Sequence, residues 1–130
     1  MRTAGSILLS IQAGLTLLLG LICGFVAIVG SLMMWLNPQP GDPHPLFMGL
    51  FYGFIALIAL FLAVIQASGA WAAHKSSSYT MAMVGSVAAI LSGAMCCNMV
   101  GLGLGITACA LLAAASAEFQ DPTGDFYNEV

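Results

Sequence analysis

Four cysteines, two histidines and a pair of glutamines set deep in apolar stretches are the residues whose types could do chemistry. A zinc site needs closely spaced thiolates and imidazoles. Cys23, Cys96, Cys97 and Cys109 contain no C-x-x-C, and His44 and His74 fall in separate polar segments. The thiols therefore read as small apolar packing residues. Cys96 and Cys97 are neighbours, and a disulfide between neighbours is strained. Asp42 and His44 give two ligands in a proline-rich loop, which reads as a polar loop rather than a metal site. No serine or thiol has a base within an apolar stretch, so nucleophilic catalysis finds no support. The sequence gives no catalytic residue, no cofactor motif and no metal site.

Gln12 lies shortly after Arg2, and Gln66 shortly before Lys75. If those two cations share one side of a membrane, both amides lie at similar depth. An amide buried without a partner in an apolar medium costs several kcal/mol, roughly 4–8 on alkane scales. The reading is that Gln12 and Gln66 bond each other or a nearby backbone carbonyl. No Asp, Glu, Lys, Arg or His falls inside an apolar stretch, which weighs against a transporter coupled to protons or ions.

The elements that must hold these residues follow from composition. Charged residues make up 5% of the 130 residues and hydrophobic ones 61%. A water-soluble domain carries about 25% charged residues, so this chain has too few polar groups to cover an aqueous surface. The fold class read from this is all-α, an integral membrane four-helix bundle with both termini on the same side. Its spans are expected at about 7–36, 46–73, 79–96 and 100–117, with an acidic tail over 118–130. The first stretch is too long for a cleaved signal peptide, whose apolar region is roughly 7–15 residues. The second begins after Asn37-Pro-Gln-Pro-Gly-Asp-Pro-His-Pro45, which cannot continue a helix. Ser76, Ser77 and Ser78 can cap the next helix. The apolar run from Tyr79 to Ala117 would be about 58 Å as one helix, nearly twice a hydrocarbon core. It must fold back, and Cys96-Cys97-Asn98 is the expected turn. Arg2 and Lys75 place both termini in the cytoplasm by the positive-inside rule.

Small residues recur at four-residue spacing: Gly20 and Gly24, Gly49 and Gly53, Gly85, Ala89, Gly93 and Cys97, and Gly101 and Gly105. Such faces let helix backbones approach closely in lipid. The tail aromatics Phe119, Phe126 and Tyr127 are expected to contact a partner.

The stretch Lys75-Ser-Ser-Ser-Tyr-Thr-Met-Ala-Met-Val-Gly, with Cys96-Cys97 and Gly101-Leu-Gly-Leu-Gly-Ile106, resembles small uncharacterised bacterial proteins of four transmembrane helices. Those carry a Cys-rich turn followed by a GLxxGI segment. Ala117-Glu118-Phe119 loosely echoes their ending. Gly103 stands where proline is usual there, and Thr107 where tryptophan is usual. The resemblance covers about the second half of the chain and implies a topology, not an activity.

The function expected from these features is that of a non-catalytic accessory subunit of a larger bacterial inner-membrane complex, respiratory, photosynthetic or transport-related. Its partners would be membrane lipids and larger membrane subunits. The acidic balance, a net charge of −3, argues against nucleic acid. The alternative is a small homo-oligomeric channel or carrier in which Gln12, Thr16 and Gln66 line a narrow path.

Overall fold

The computed structural model describes residues 2–75, 77–95 and 99–120, and among them it is helical without strands. Helix α1 spans Arg2–Leu36, α2 Pro45–Lys75, α3 Tyr79–Met95, α4 Met99–Ala114, and the short α5 Ser116–Gln120. The expected turn at Cys96-Cys97-Asn98 and the tail residues Phe126 and Tyr127 lie outside the described residues.

The boundaries have local causes. Proline at position 45 suits the first turn of a helix, where its missing N–H would be unpaired anyway. His44 caps that end: its carbonyl accepts from the Phe47 N–H at 2.9 Å, and its ring Nδ1 accepts from the Leu46 N–H at 3.3 Å. The loop before it turns at Gly41, whose φ of 105° suits only glycine without strain. Ser78 opens α3, its hydroxyl oxygen accepting from the Met81 N–H at 3.4 Å.

The four longer helices are unequal. Helices α1 and α2 are long and apolar enough to cross a membrane, whereas α3 and α4 are apolar but only 17 and 16 residues long. At 1.5 Å per residue the latter pair is about 25 Å long, short of the roughly 30 Å hydrocarbon core. The spans expected at about 7–36 and 46–73 are the two long helices, and those expected at about 79–96 and 100–117 are the two short ones. The Ser6 hydroxyl donates to the Ala70 carbonyl at 3.1 Å, which places Arg2 and Lys75 at one end of the bundle, hereafter the basic end. Lys75 Nζ lies 4.6 Å from the centre of the Trp71 ring at that end. Helix α3 stops one turn past Ser92, which is bonded to α1 and α2. About 25 Å of α1 and α2 therefore runs on beyond the hairpin toward the 37–44 loop.

The interior is built from small residues. Ala73, Ala82, Ala89 and Ala108 are wholly or almost wholly buried, and Leu9 and Leu112 are the only large apolar side chains among the fully buried ones described. The large residues point outward: Phe54, Leu57, Phe61 and Val64 are each about two-thirds exposed. A soluble protein buries such side chains first. Along α2 the pattern is reversed, its buried residues being alanines, Gly69 and Gln66.

Candidate functional site: a buried polar cluster and an open apolar groove

Small faces bring α3 against its neighbours. A Cβ added at Gly93 would lie 2.5 Å from the Leu102 backbone N, and one at Gly105 would lie 2.8 Å from the Ile90 N. Real Cβ atoms do not approach so closely, so α3 and α4 touch backbone to backbone there. Gly85 meets Gly69 of α2 in the same way. Gly20 packs on Ala59, and Gly49 faces Ser31.

Two of the expected packing glycines behave differently. Gly53 has nothing within 4 Å of an added Cβ, and Gly24 meets only the Ala56 methyl at 3.8 Å. Both open onto a groove instead of a tight helix contact. Gly69 was absent from the sequence-derived set. Its signal was present, because Gly69 and Ala73 share one face four residues apart.

With the helices this close, four polar side chains meet inside the bundle. Gln66 is fully buried, and Gln12, Thr16 and Ser92 are nearly so. Gln66 Nε2 donates to Ser92 Oγ at 2.9 Å and to the Ala88 carbonyl at 3.2 Å. Gln12 Nε2 donates to the same Ser92 Oγ at 3.4 Å. The Thr16 hydroxyl has one proton and three acceptors in reach: the Gln12 backbone O at 2.9 Å, Gln66 Oε1 at 3.1 Å and Ser92 Oγ at 3.4 Å. Ser92 in turn donates to the Ala89 carbonyl at 2.9 Å.

Gln12 and Gln66 thus occupy one cluster, joined through Ser92 and Thr16 and not to each other, and Gln66 finds the backbone carbonyl expected as the alternative at Ala88. The amides approach from α1 and α2, and the α3 hydroxyl between them can accept from both. Ser92 was missed by the sequence reading. It lies seven residues after Gly85, so it shares that small-residue face. Gln12 Oε1 is buried and has no hydrogen-bond partner among the described residues. The cluster holds no acid, base or nucleophile pair, so its chemistry is confined to hydrogen bonding.

The second feature is a groove of about 1290 Å³ between α1 and α2 on their stretch beyond the hairpin. Gly24, Ala27 and Ser31 of α1 and Gly49, Gly53 and Ala56 of α2 are among its lining residues, with Trp35, Phe47 and Leu57 as larger ones. The Ser31 hydroxyl is bonded to its own helix at the Ala27 carbonyl. His44 stands at the loop end of the lining.

Phe119, expected to reach a partner, packs against its own chain on its buried side. Its ring meets Tyr79 edge-on with centroids 5.5 Å apart, and it covers the cluster of Ala73, Ala82 and Leu112. Among the described residues no group of three or more His, Cys, Asp or Glu side chains could hold a metal ion.

Comparison with protein-family models, with curated proteins and with solved structures gives no match for this chain.

Proposed function

We propose that the chain is a multi-pass protein of the bacterial inner membrane and serves there as a non-catalytic accessory subunit, packed against larger membrane subunits. The observation that carries this is the reversed burial pattern. Small and polar side chains fill the interior, and large apolar ones face outward along α1 and α2, with Ile28 at 71% and Trp35 at 77% exposure. Apolar surface on that scale marks contact with lipid or protein.

The tryptophans fit a bilayer. Trp71 lies near the level of Ser6, given the Ser6–Ala70 bond. From there to Trp35 the α1 axis runs about 43 Å, close to the 40–45 Å of a bilayer with its headgroups. Tryptophans favour both interfaces. The hairpin of α3 and α4 enters from the basic end, and the positive-inside rule puts that end, with both termini, in the cytoplasm.

The channel or carrier reading draws on the same Gln12, Thr16 and Gln66. Their amide and hydroxyl hydrogens are directed at acceptors within the bundle, which supports a structural cluster over a path. Purification in mild detergent followed by native mass spectrometry separates the two. Fixed stoichiometry with larger subunits is expected; a lone homo-oligomer would move the channel to first place.

A further inference from the structure

We infer that the groove between the loop-end stretches of α1 and α2 is a seat for the acyl chains of one phospholipid, with His44 at its headgroup end. The inference rests on the membrane reading above.

Length decides between a lipid and a partner's transmembrane helix. The groove runs along α1 from Trp35 to Gly24, about 16 Å at 1.5 Å per residue. With Trp35 at one interface, one leaflet with its headgroups is about 21 Å deep, about 15 Å of it hydrocarbon. Just past that point the two helices close on each other: a Cβ at Gly20 would meet the Ala59 Cβ at 3.3 Å and Leu60 at 3.4 Å. A crossing helix needs a surface through both leaflets, whereas acyl chains from one leaflet stop near the midplane. The groove stops there too.

Polarity follows the same axis. Toward the midplane the lining is Gly24, Ala56 and Leu60, which ask for no hydrogen bond. Ser31 is the hydroxyl on the way, and its proton is directed to the Ala27 carbonyl. At the loop end His44 Nδ1 accepts from the Leu46 N–H, which leaves Nε2 as the ring nitrogen free to donate. An N–H donor at the mouth of an apolar slot matches the phosphate and ester oxygens of a phospholipid, which only accept. A volume of about 1290 Å³ exceeds the 300–1,000 Å³ usual for small-ligand pockets, in keeping with a large two-chain ligand.

Gly53 supplies the test. Nothing lies within 4 Å of a Cβ added there, so Gly53→Phe starts from open space and puts a ring into the groove. Gly14 is equally open but lies outside the groove, and Gly14→Phe is the matched control. The full chain is expressed, its membrane fraction is washed with alkaline carbonate, and the detergent-purified protein is supplied with palmitoyl-oleoyl phosphatidylethanolamine. Native mass spectrometry then reads the lipid retained at collision energies that strip loosely held lipid. The expected result is one lipid retained by the wild type and by Gly14→Phe, and none by Gly53→Phe. Equal retention in all three, or none in the wild type, overturns the assignment. So does a dimer of the chain that Gly53→Phe breaks, which would give the groove to a second copy. Release by carbonate is a separate outcome: it sinks the membrane reading itself, and the lipid seat with it.

Discussion

Gly69 of α2 and Gly85 of α3 meet so closely that a Cβ on Gly69 would lie 2.7 Å from the Gly85 Cα, and one on Gly85 would lie 2.8 Å from the Gly69 Cα. The obstacle on each side is backbone, including the Met81 carbonyl 3.0 Å from the Gly69 position, so no side-chain rotation relieves it. Replacing glycine by alanine inside a helix ordinarily gains about 1 kcal/mol in helix propensity. At this contact, overpacking costs about 1–3 kcal/mol and outweighs it. Gly85→Ala should therefore lower the thermal midpoint of the purified protein in detergent. Gly14→Ala, with nothing in reach, should leave it unchanged or raise it.

The polar cluster is asymmetric, and its two amides should respond differently to replacement. Gln66 uses both amide hydrogens and accepts from Thr16, whereas the Gln12 side-chain Oε1 has no hydrogen-bond partner among the described residues. Interhelical hydrogen bonds within membranes average about 0.6 kcal/mol each. Gln66→Leu should cost about 2 kcal/mol on that scale, and Gln12→Leu distinctly less. Unfolding followed by circular dichroism in detergent would compare them, and equal losses would count against the cluster as drawn.

Ser92 is the acceptor shared by both amides. Ser92→Ala should cost about 1–2 kcal/mol, because two buried N–H groups lose their partner. A double-mutant cycle with Gln66→Leu should then give a coupling energy of about 0.5–1.7 kcal/mol. Additivity would show that the two side chains do not interact.

Phe119 ties the end of the described chain to the bundle through Tyr79 and the Ala73, Ala82 and Leu112 cluster. Phe119→Ala should destabilise the isolated protein by roughly 1–3 kcal/mol, the worth of a partly buried aromatic side chain. The purified chain alone suffices for this test. A loss seen only when a second protein is present would return Phe119 to the role of a partner contact.

The all-helical class was legible because long apolar runs broken by Pro38, Pro40, Pro43 and Pro45 leave few other folds open. Gly93, Gly101 and Gly105 were legible as close-packing positions from spacing alone. Spacing could not separate Gly20, which packs on Ala59, from Gly53, which faces the groove. Which glycine is covered depends on where α1 and α2 close on each other along their length, and that is a tertiary property. The shared depth of Gln12 and Gln66 was also legible, from their distance to Arg2 and Lys75. That a serine would stand between them was not, because pairing across three helices needs the register of α3, which Gly69 and Gly85 fix.

The two ends of the bundle should lie on opposite sides of the membrane. Arg2 and Lys75 share the basic end, and the 37–44 loop, which carries no Lys or Arg, forms the other. With the four native cysteines replaced by alanine, Gln39→Cys and Ser77→Cys place one thiol at each end. A maleimide that cannot cross membranes should label Gln39→Cys in spheroplasts and should reach Ser77→Cys only after permeabilisation. The reverse pattern would invert the orientation, since only two cations set it. Labelling of both thiols in intact spheroplasts would mean that α1 and α2 do not cross, and would remove the basis for an accessory membrane subunit.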